Sequence, residues 1–154
     1  MKANEISRTD HMGLRPGLYV TKREAIGNQT ITTFDLRFTH SDEKIPITQE
    51  TLDIIGTVGN LYLKKLSSYG DDVIYFGHIG SDTRLRLIMR GLLASEDIAG
   101  VITKMCDFIF MNNGQISENH ERKNCTKEKL DEVKLCVIEY SDMLRHNPRY
   151  EYSA

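Results

Sequence analysis

The chain has 154 residues, of which 40% are apolar and 27% charged, and its formal net charge is -2. That length fits one sizeable core, so a single domain over 1–154 is expected. The balance excludes disorder, a nucleic-acid face and an anionic-membrane surface. No apolar run approaches the roughly 20 residues of a membrane span.

Residues 1–13, MKANEISRTDHMG, are polar and lack the apolar core of a secretory signal. Pro16-Gly17 signals a turn, and Leu18-Tyr19-Val20 reads as a short strand. Gly27-Asn28 reads as a second turn. Thr30 to Phe38 then alternates, with Ile31, Thr33, Asp35 and Arg37 on one face and Thr32, Phe34, Leu36 and Phe38 on the other. That pattern predicts a half-buried antiparallel strand.

Thr51 to Lys65 follows as a helix. Leu52, Ile55, Gly59, Tyr62, Leu63 and Leu66 fall on one face, and Thr48 is the expected N-cap. Gly56 and Gly59 sit in its interior, each at about 1 kcal/mol relative to alanine. Two such costs in one helix point to something the glycines make room for or have replaced.

Ser67 to Asp72 is a loop, and Asp72 to Ile79 is an apolar run expected to form a central strand. Thr83 to Leu93 reads as a helix with Leu85, Ile88, Met89 and Leu92 inward. A further helix follows, capped by Ser95 and stopped at Gly114, and a last one runs from Thr126 to Arg145. The expected order is β, β, α, β, α, α, α. Two opening strands with hairpin-like alternation favour an α+β layer, helices on a mostly antiparallel sheet, over an alternating parallel sheet.

Several residues invite chemistry. His11, His40, His78, His120 and His146 are scattered, with no H-E-x-x-H or H-x-x-E-H, so no helix-borne zinc site of the usual kind is present. His78 ends an apolar strand between glycines and admits a functional or a structural reading. Cys106 and Cys136 lie on apolar helix faces as small buried hydrophobes. Cys125 closes a polar loop at the start of the last helix, where the helix dipole lowers a thiol's pKa and suits a ligand or nucleophile. Three cysteines without paired spacing favour a reducing cytoplasm. Arg37 either holds a carboxylate in a cleft or forms a solvent-facing salt bridge with Asp35. On these residues alone the chain is an α+β domain without an assembled catalytic site.

Asp10-His11, LRPGLYV, ITTFDLRF, VIYFGHIG, GLLASEDIAGVITKMCDFI and Cys125 follow one another in an order that resembles the S-ribosylhomocysteine lyase (LuxS) family. The resemblance implies an α+β fold and a homodimer with active sites at the subunit interface. It implies cleavage of S-ribosylhomocysteine to homocysteine and the precursor of a quorum-sensing autoinducer. In that family a divalent metal, typically ferrous iron, is held by both histidines of a helical H-x-x-E-H and a downstream cysteine. The metal acts as a Lewis acid, while the glutamate and a second cysteine move protons.

This chain departs at those positions. In the preferred register Asp53 stands at the first histidine, Gly56 at the glutamate and Thr57 at the second histidine. A register shifted by one places Gly56, Gly59 and Asn60 there instead. Ser81 replaces the second cysteine, and a serine hydroxyl is far too weak an acid to stand in for a thiolate. Arg84 stands where the family has a glycine. Cys125 remains at the third ligand position, and His11, Arg37 and Phe76 remain at or near substrate-contacting positions.

The resulting expectation is a catalytically degenerate homodimer without a cofactor, acting in binding or regulation through a small-molecule ligand in the interface pocket. Two alternatives stand beside it. One is a lyase with a rebuilt iron or zinc site from Asp53, Cys125 and one of His11 or His78. The other is an interaction partner of an intact LuxS-family subunit.

Overall fold

The computed structural model describes residues 15–38, 47–79, 84–112 and 127–151. The elements are β1 (Gly17–Ile26), β2 (Gln29–Arg37), α1 (Gln49–Leu61), β3 (Val73–His78), β4 (Arg84–Arg90), α2 (Ser95–Asn112) and α3 (Lys127–His146). A π-helical turn, Tyr62–Leu66, and a 3-10 turn, Gly70–Asp72, join α1 to β3. The four strands form one antiparallel sheet in the order β1-β2-β4-β3. Three helices pack on it, so the α+β expectation holds.

β1 and β2 form a hairpin around Gly27-Asn28, with Ile26 facing Gln29. Gly27 has φ 62°, the left-handed region that a two-residue hairpin turn needs. The first strand is longer than the three residues expected. β2 lies between β1 and β4 and is buried on both faces along its second half, with Phe34 and Leu36 at 0% exposure, Asp35 at 1% and Arg37 at 3%. The expected half-burial therefore fails there.

Two further expectations are corrected. The described part of the helix expected over 83–93 contains β4 instead, where Leu85, Leu87 and Met89 alternate inward, and Leu92 is exposed. Leu85, Ile88 and Met89 also satisfy a helical spacing, and the ladders to β2 and β3 decide between the two periods. Among the described residues β3 is an edge strand rather than a central one, and the element order is accordingly β, β, α, β, β, α, α.

Thr48 caps α1 as expected, its hydroxyl accepting from the Thr51 N–H at 3.2 Å. The Thr51 hydroxyl donates to Glu132 Oε1 on α3 at 3.1 Å, and Lys129 Nζ donates to both Thr48 Oγ1 and Glu132 Oε1. The cap is thus also the joint between α1 and α3. The α-helix ends at Leu61, short of Lys65, and Ser67 N–H closes the π turn by donating to the Tyr62 carbonyl.

Ser95 does not cap α2. Its hydroxyl donates to the Leu18 carbonyl at 2.8 Å, and Asp97 Oδ2 accepts from the Ala94 N–H instead. The start of β1 is further held by Tyr140, whose hydroxyl donates to the Gly17 carbonyl at 2.6 Å, and by Leu18 N–H donating to the Arg149 carbonyl.

The core lies between the sheet and the helices. Leu18, Phe34, Leu36, Phe76, Leu85, Leu87 and Met89 meet Leu52, Ile55 and Val58 of α1, Ile98, Ile102 and Met105 of α2, and Val133 and Val137 of α3. Among the described residues no helix is long and apolar enough to cross a membrane.

Candidate functional site

The groove on the α1 side of the molecule grows from one helical stripe. Asp53, Gly56, Thr57, Asn60 and Lys64 recur at i, i+3, i+4, i+7 and i+11 and face Tyr75 to His78 of β3. Together they line an open groove of about 560 Å³. α1 and β3 run in opposite directions along it. Asp53 meets His78 at one end, Gly56 lies by Gly77, and Gly59 lies by Phe76.

The two helical glycines have different reasons. A Cβ on Gly59 would lie 2.8 Å from the Phe76 ring and 2.9 Å from Met105 Sδ, so only glycine lets α1 rest on both. A Cβ on Gly56 would meet the Gly77 Cα at 3.5 Å and Leu85 Cδ2 at 3.8 Å, ordinary contact distances. Packing therefore requires Gly59 and merely tolerates Gly56. Phe76, expected at a substrate-contacting position, is 4% exposed and forms the floor under Gly59.

His78 Nε2 lies 3.2 Å from Asp53 Oδ1. With the proton on Nε2, the imidazole donates to the carboxylate and leaves Nδ1 as an acceptor. Nδ1 is buried without a partner among the described residues, as is Asn60 Oδ1. Both atoms are shut off from solvent, so what the groove offers a ligand on this side is the exposed Asp53 carboxylate. The Tyr75 hydroxyl donates to the His78 carbonyl at 3.0 Å.

The divalent metal implied by the resemblance does not fit this helix face. Of the three positions matching H-x-x-E-H, Gly56 brings no donor atom, Thr57 brings a neutral hydroxyl, and the Asp53 carboxylate is engaged with His78. Iron and zinc sites want three or more protein ligands of imidazole, thiolate or carboxylate type. Among the described residues no three His, Cys, Asp or Glu side chains converge. Cys125, Ser81 and His11 lie outside the described residues, as do His40 and His120.

Arg37 is not in the groove. It alternates with the core residue Leu36 and so points to the opposite face of the sheet, where it pairs across strands with Arg84. There Asp35 is bound by Arg84 Nη1 and, at 3.2 Å, by Arg86 Nε. The Asp35 side is thus neither a solvent-facing salt bridge nor part of the α1 groove. It is a buried charge cluster completed by Arg84, the residue at the family's glycine position.

Cys106 is 1% exposed, and burial pushes its thiol far above the ordinary range, which makes it inert as a nucleophile. The structure adds Lys64 to the groove, and it adds Asn60, which stands at a motif position only in the shifted register. Their spacing from Asp53 and Thr57 was the available signal, since a polar stripe at helical period marks one face.

A family model described as S-Ribosylhomocysteinase (LuxS) matches residues 6–150. The chain is 33% identical over 125 residues to an S-ribosylhomocysteine lyase of Finegoldia magna, covering 81% of this chain and 78% of that one. It is 32% identical over 107 residues to the S-ribosylhomocysteine lyase of Clostridium acetobutylicum, covering 70% and 68%. To that of Porphyromonas gingivalis it is 28% identical over 133 residues, covering 85% and 84%. On these matches the chain belongs to the S-ribosylhomocysteinase (LuxS) family.

Proposed function

We propose that this chain is a LuxS-family protein that no longer carries out the lyase reaction and instead binds a ligand in the α1–β3 groove. In this reading it works as a homodimer in the cytoplasm. The observation that carries it is the state of the helix face at Asp53, Gly56 and Thr57. Gly56 leaves bare backbone against Gly77 and Leu85 where a carboxylate base would stand, and the Asp53 carboxylate is turned to His78. Ser81 at the second proton-carrying position supports the same reading, because a hydroxyl cannot cycle its proton near neutral pH as a thiolate can. The test is release of homocysteine from S-ribosylhomocysteine with added ferrous or cobalt ion. The expected result is no release above the protein-free control. Turnover at an ordinary enzymatic rate, about 1 per second or more, overturns the reading.

One observation favours a second reading, a rebuilt metal site. Asp53 and His78 stand 3.2 Å apart, so two donors are already together, and Cys125 would make a third. Metal analysis of protein purified without chelator separates the two. A stoichiometric iron or zinc lost on Cys125→Ala and on His78→Ala supports the rebuilt site, and metal-free protein that takes up no added zinc sinks it.

A further inference from the structure

We infer that the outward face of α3 is a docking seam for a basic amphipathic helix of another protein. The partner helix would carry two large aliphatic side chains in mid-seam and lysine or arginine at the seam positions on either side. This surface lies outside the α1–β3 groove, and its role is independent of whether the chain cleaves S-ribosylhomocysteine.

α3 turns Val133, Val137, Tyr140 and Leu144 to the core. On its other side Glu128, Asp131, Leu135, Ile138 and Asp142 recur at steps of three, four, three and four residues, and all of them are exposed. That is the spacing of a coiled-coil seam, here about 21 Å long. Its middle is apolar, with Leu135 57% and Ile138 42% exposed, and its ends are acidic. Glu139 adds an exposed carboxylate one turn from Leu135.

The charges on this stripe oppose the helix that carries them. A solvated helix face gains from opposite charges three or four residues apart. Here Glu128 and Asp131 are like-charged neighbours at i, i+3, and so are Glu139 and Asp142. Asp142 also stands about one turn from the C-terminus, where the helix dipole disfavours a carboxylate. Among the described residues none of these four carboxylates forms an ion pair. Arg145, three residues from Asp142, is bonded to Asp107 and Ser141 instead, and Lys134 lies over the Phe110 ring at 5.3 Å from its centroid. The repulsion between the acids and the water held on Leu135 and Ile138 are thus both uncompensated within the chain. A cationic helix relieves the two together, its charges meeting the acidic ends while its aliphatic row covers the middle. A second copy of the chain does not fit. In an isologous contact the stripe meets itself, and acidic ends face acidic ends whether the helices run parallel or antiparallel.

The test uses three fluorescein-labelled, alanine-based helical peptides of about 20 residues on the full chain. The first has leucine at two adjacent seam positions and lysine at the seam positions on either side. The second has glutamate in place of those lysines. The third keeps the lysines and has alanine in place of the leucines. In anisotropy titrations the first is expected to bind with a Kd below about 1 mM, and the other two at least about tenfold more weakly. Leu135→Gln with Ile138→Gln should weaken the first peptide about tenfold, and Asp131→Lys with Asp142→Lys should transfer the preference to the second. All four positions are exposed, so the melting temperature of either variant should stay within about 2 °C of the parent. No binding of the first peptide at about 1 mM overturns the inference, as does equal binding of the first and second or of the first and third. Unchanged affinity in both double variants overturns it as well. Sedimentation without peptide gives a separate readout: self-association that is abolished by Leu135→Gln with Ile138→Gln would assign the seam to a second copy of the chain and overturn the inference.

Discussion

Replacing each helical glycine of α1 by alanine gives opposite outcomes. At Gly56 the new methyl would stand 3.5 Å from the Gly77 Cα and 3.8 Å from Leu85 Cδ2, which is contact without overlap. The helix then gains the propensity difference, about 0.5–1 kcal/mol. At Gly59 the methyl would stand 2.8 Å from Phe76 Cε2 and 2.9 Å from Met105 Sδ. The methionine can swing aside, but Phe76 is buried beneath the helix and cannot. Overpacking of that kind costs about 1–3 kcal/mol, more than the propensity gain offsets, so a net loss of roughly 1–2 kcal/mol is expected. At this chain length 1 kcal/mol moves the melting temperature by about 2–4 °C. Thermal and urea unfolding followed by far-UV circular dichroism should show Gly56→Ala rising by about 1–4 °C and Gly59→Ala falling by about 2–8 °C. Shifts of the same sign and size would refute the assignment of Gly59 to packing and Gly56 to vacated space.

Because Gly56 tolerates a Cβ, the family motif can be put back. Asp53→His, Gly56→Glu and Thr57→His together should give a folded protein that binds zinc or cobalt more tightly by about tenfold or more, read by calorimetry and by cobalt absorption. The same triple variant should release homocysteine only when Ser81→Cys is added, as an end-point thiol assay would show. Asp35→Asn leaves Arg84 and Arg86 facing a neutral amide at a site 1% exposed. It should lower unfolding stability by about 3 kcal/mol in urea titrations. The raised pKa of the buried Cys106 thiol keeps it protonated through ordinary alkaline pH. Iodoacetamide at about pH 8 should therefore label it in denaturant and leave it unmodified in the native chain, by mass spectrometry.

Local chemistry made part of the fold legible. Thr48 before a periodic apolar run marked the helix start, and Gly27-Asn28 between alternating stretches marked the hairpin. What could not be read depended on distant partners. In RLRLIMR the apolar residues satisfy both periods, and only its neighbours β2 and β3 make it a strand. The edge position of β3 follows from β4 entering between it and β2. Asp35 looked solvent-facing because its side chain alternates with Phe34 and Leu36, whereas Arg84 and Arg86, 49 and 51 residues away, share its burial. The site was legible where it is linear, at Asp53, Gly56 and Thr57. The contact between Asp53 and His78, 25 residues apart, required the helix to lie on the strand.

The anchoring of the first strand has a consequence for how the chain is made. Tyr140 reaches back 123 residues to the Gly17 carbonyl, and Arg149 accepts from Leu18. A growing chain can form the hairpin early, but the hairpin cannot be locked down until α3 and the segment after it have left the ribosome. The loop-closure entropy of that return falls due in a late step of folding. A ribosome-stalled chain ending before Tyr140 would hold the hairpin in reach of proteases, and completion of the last helix would close that window.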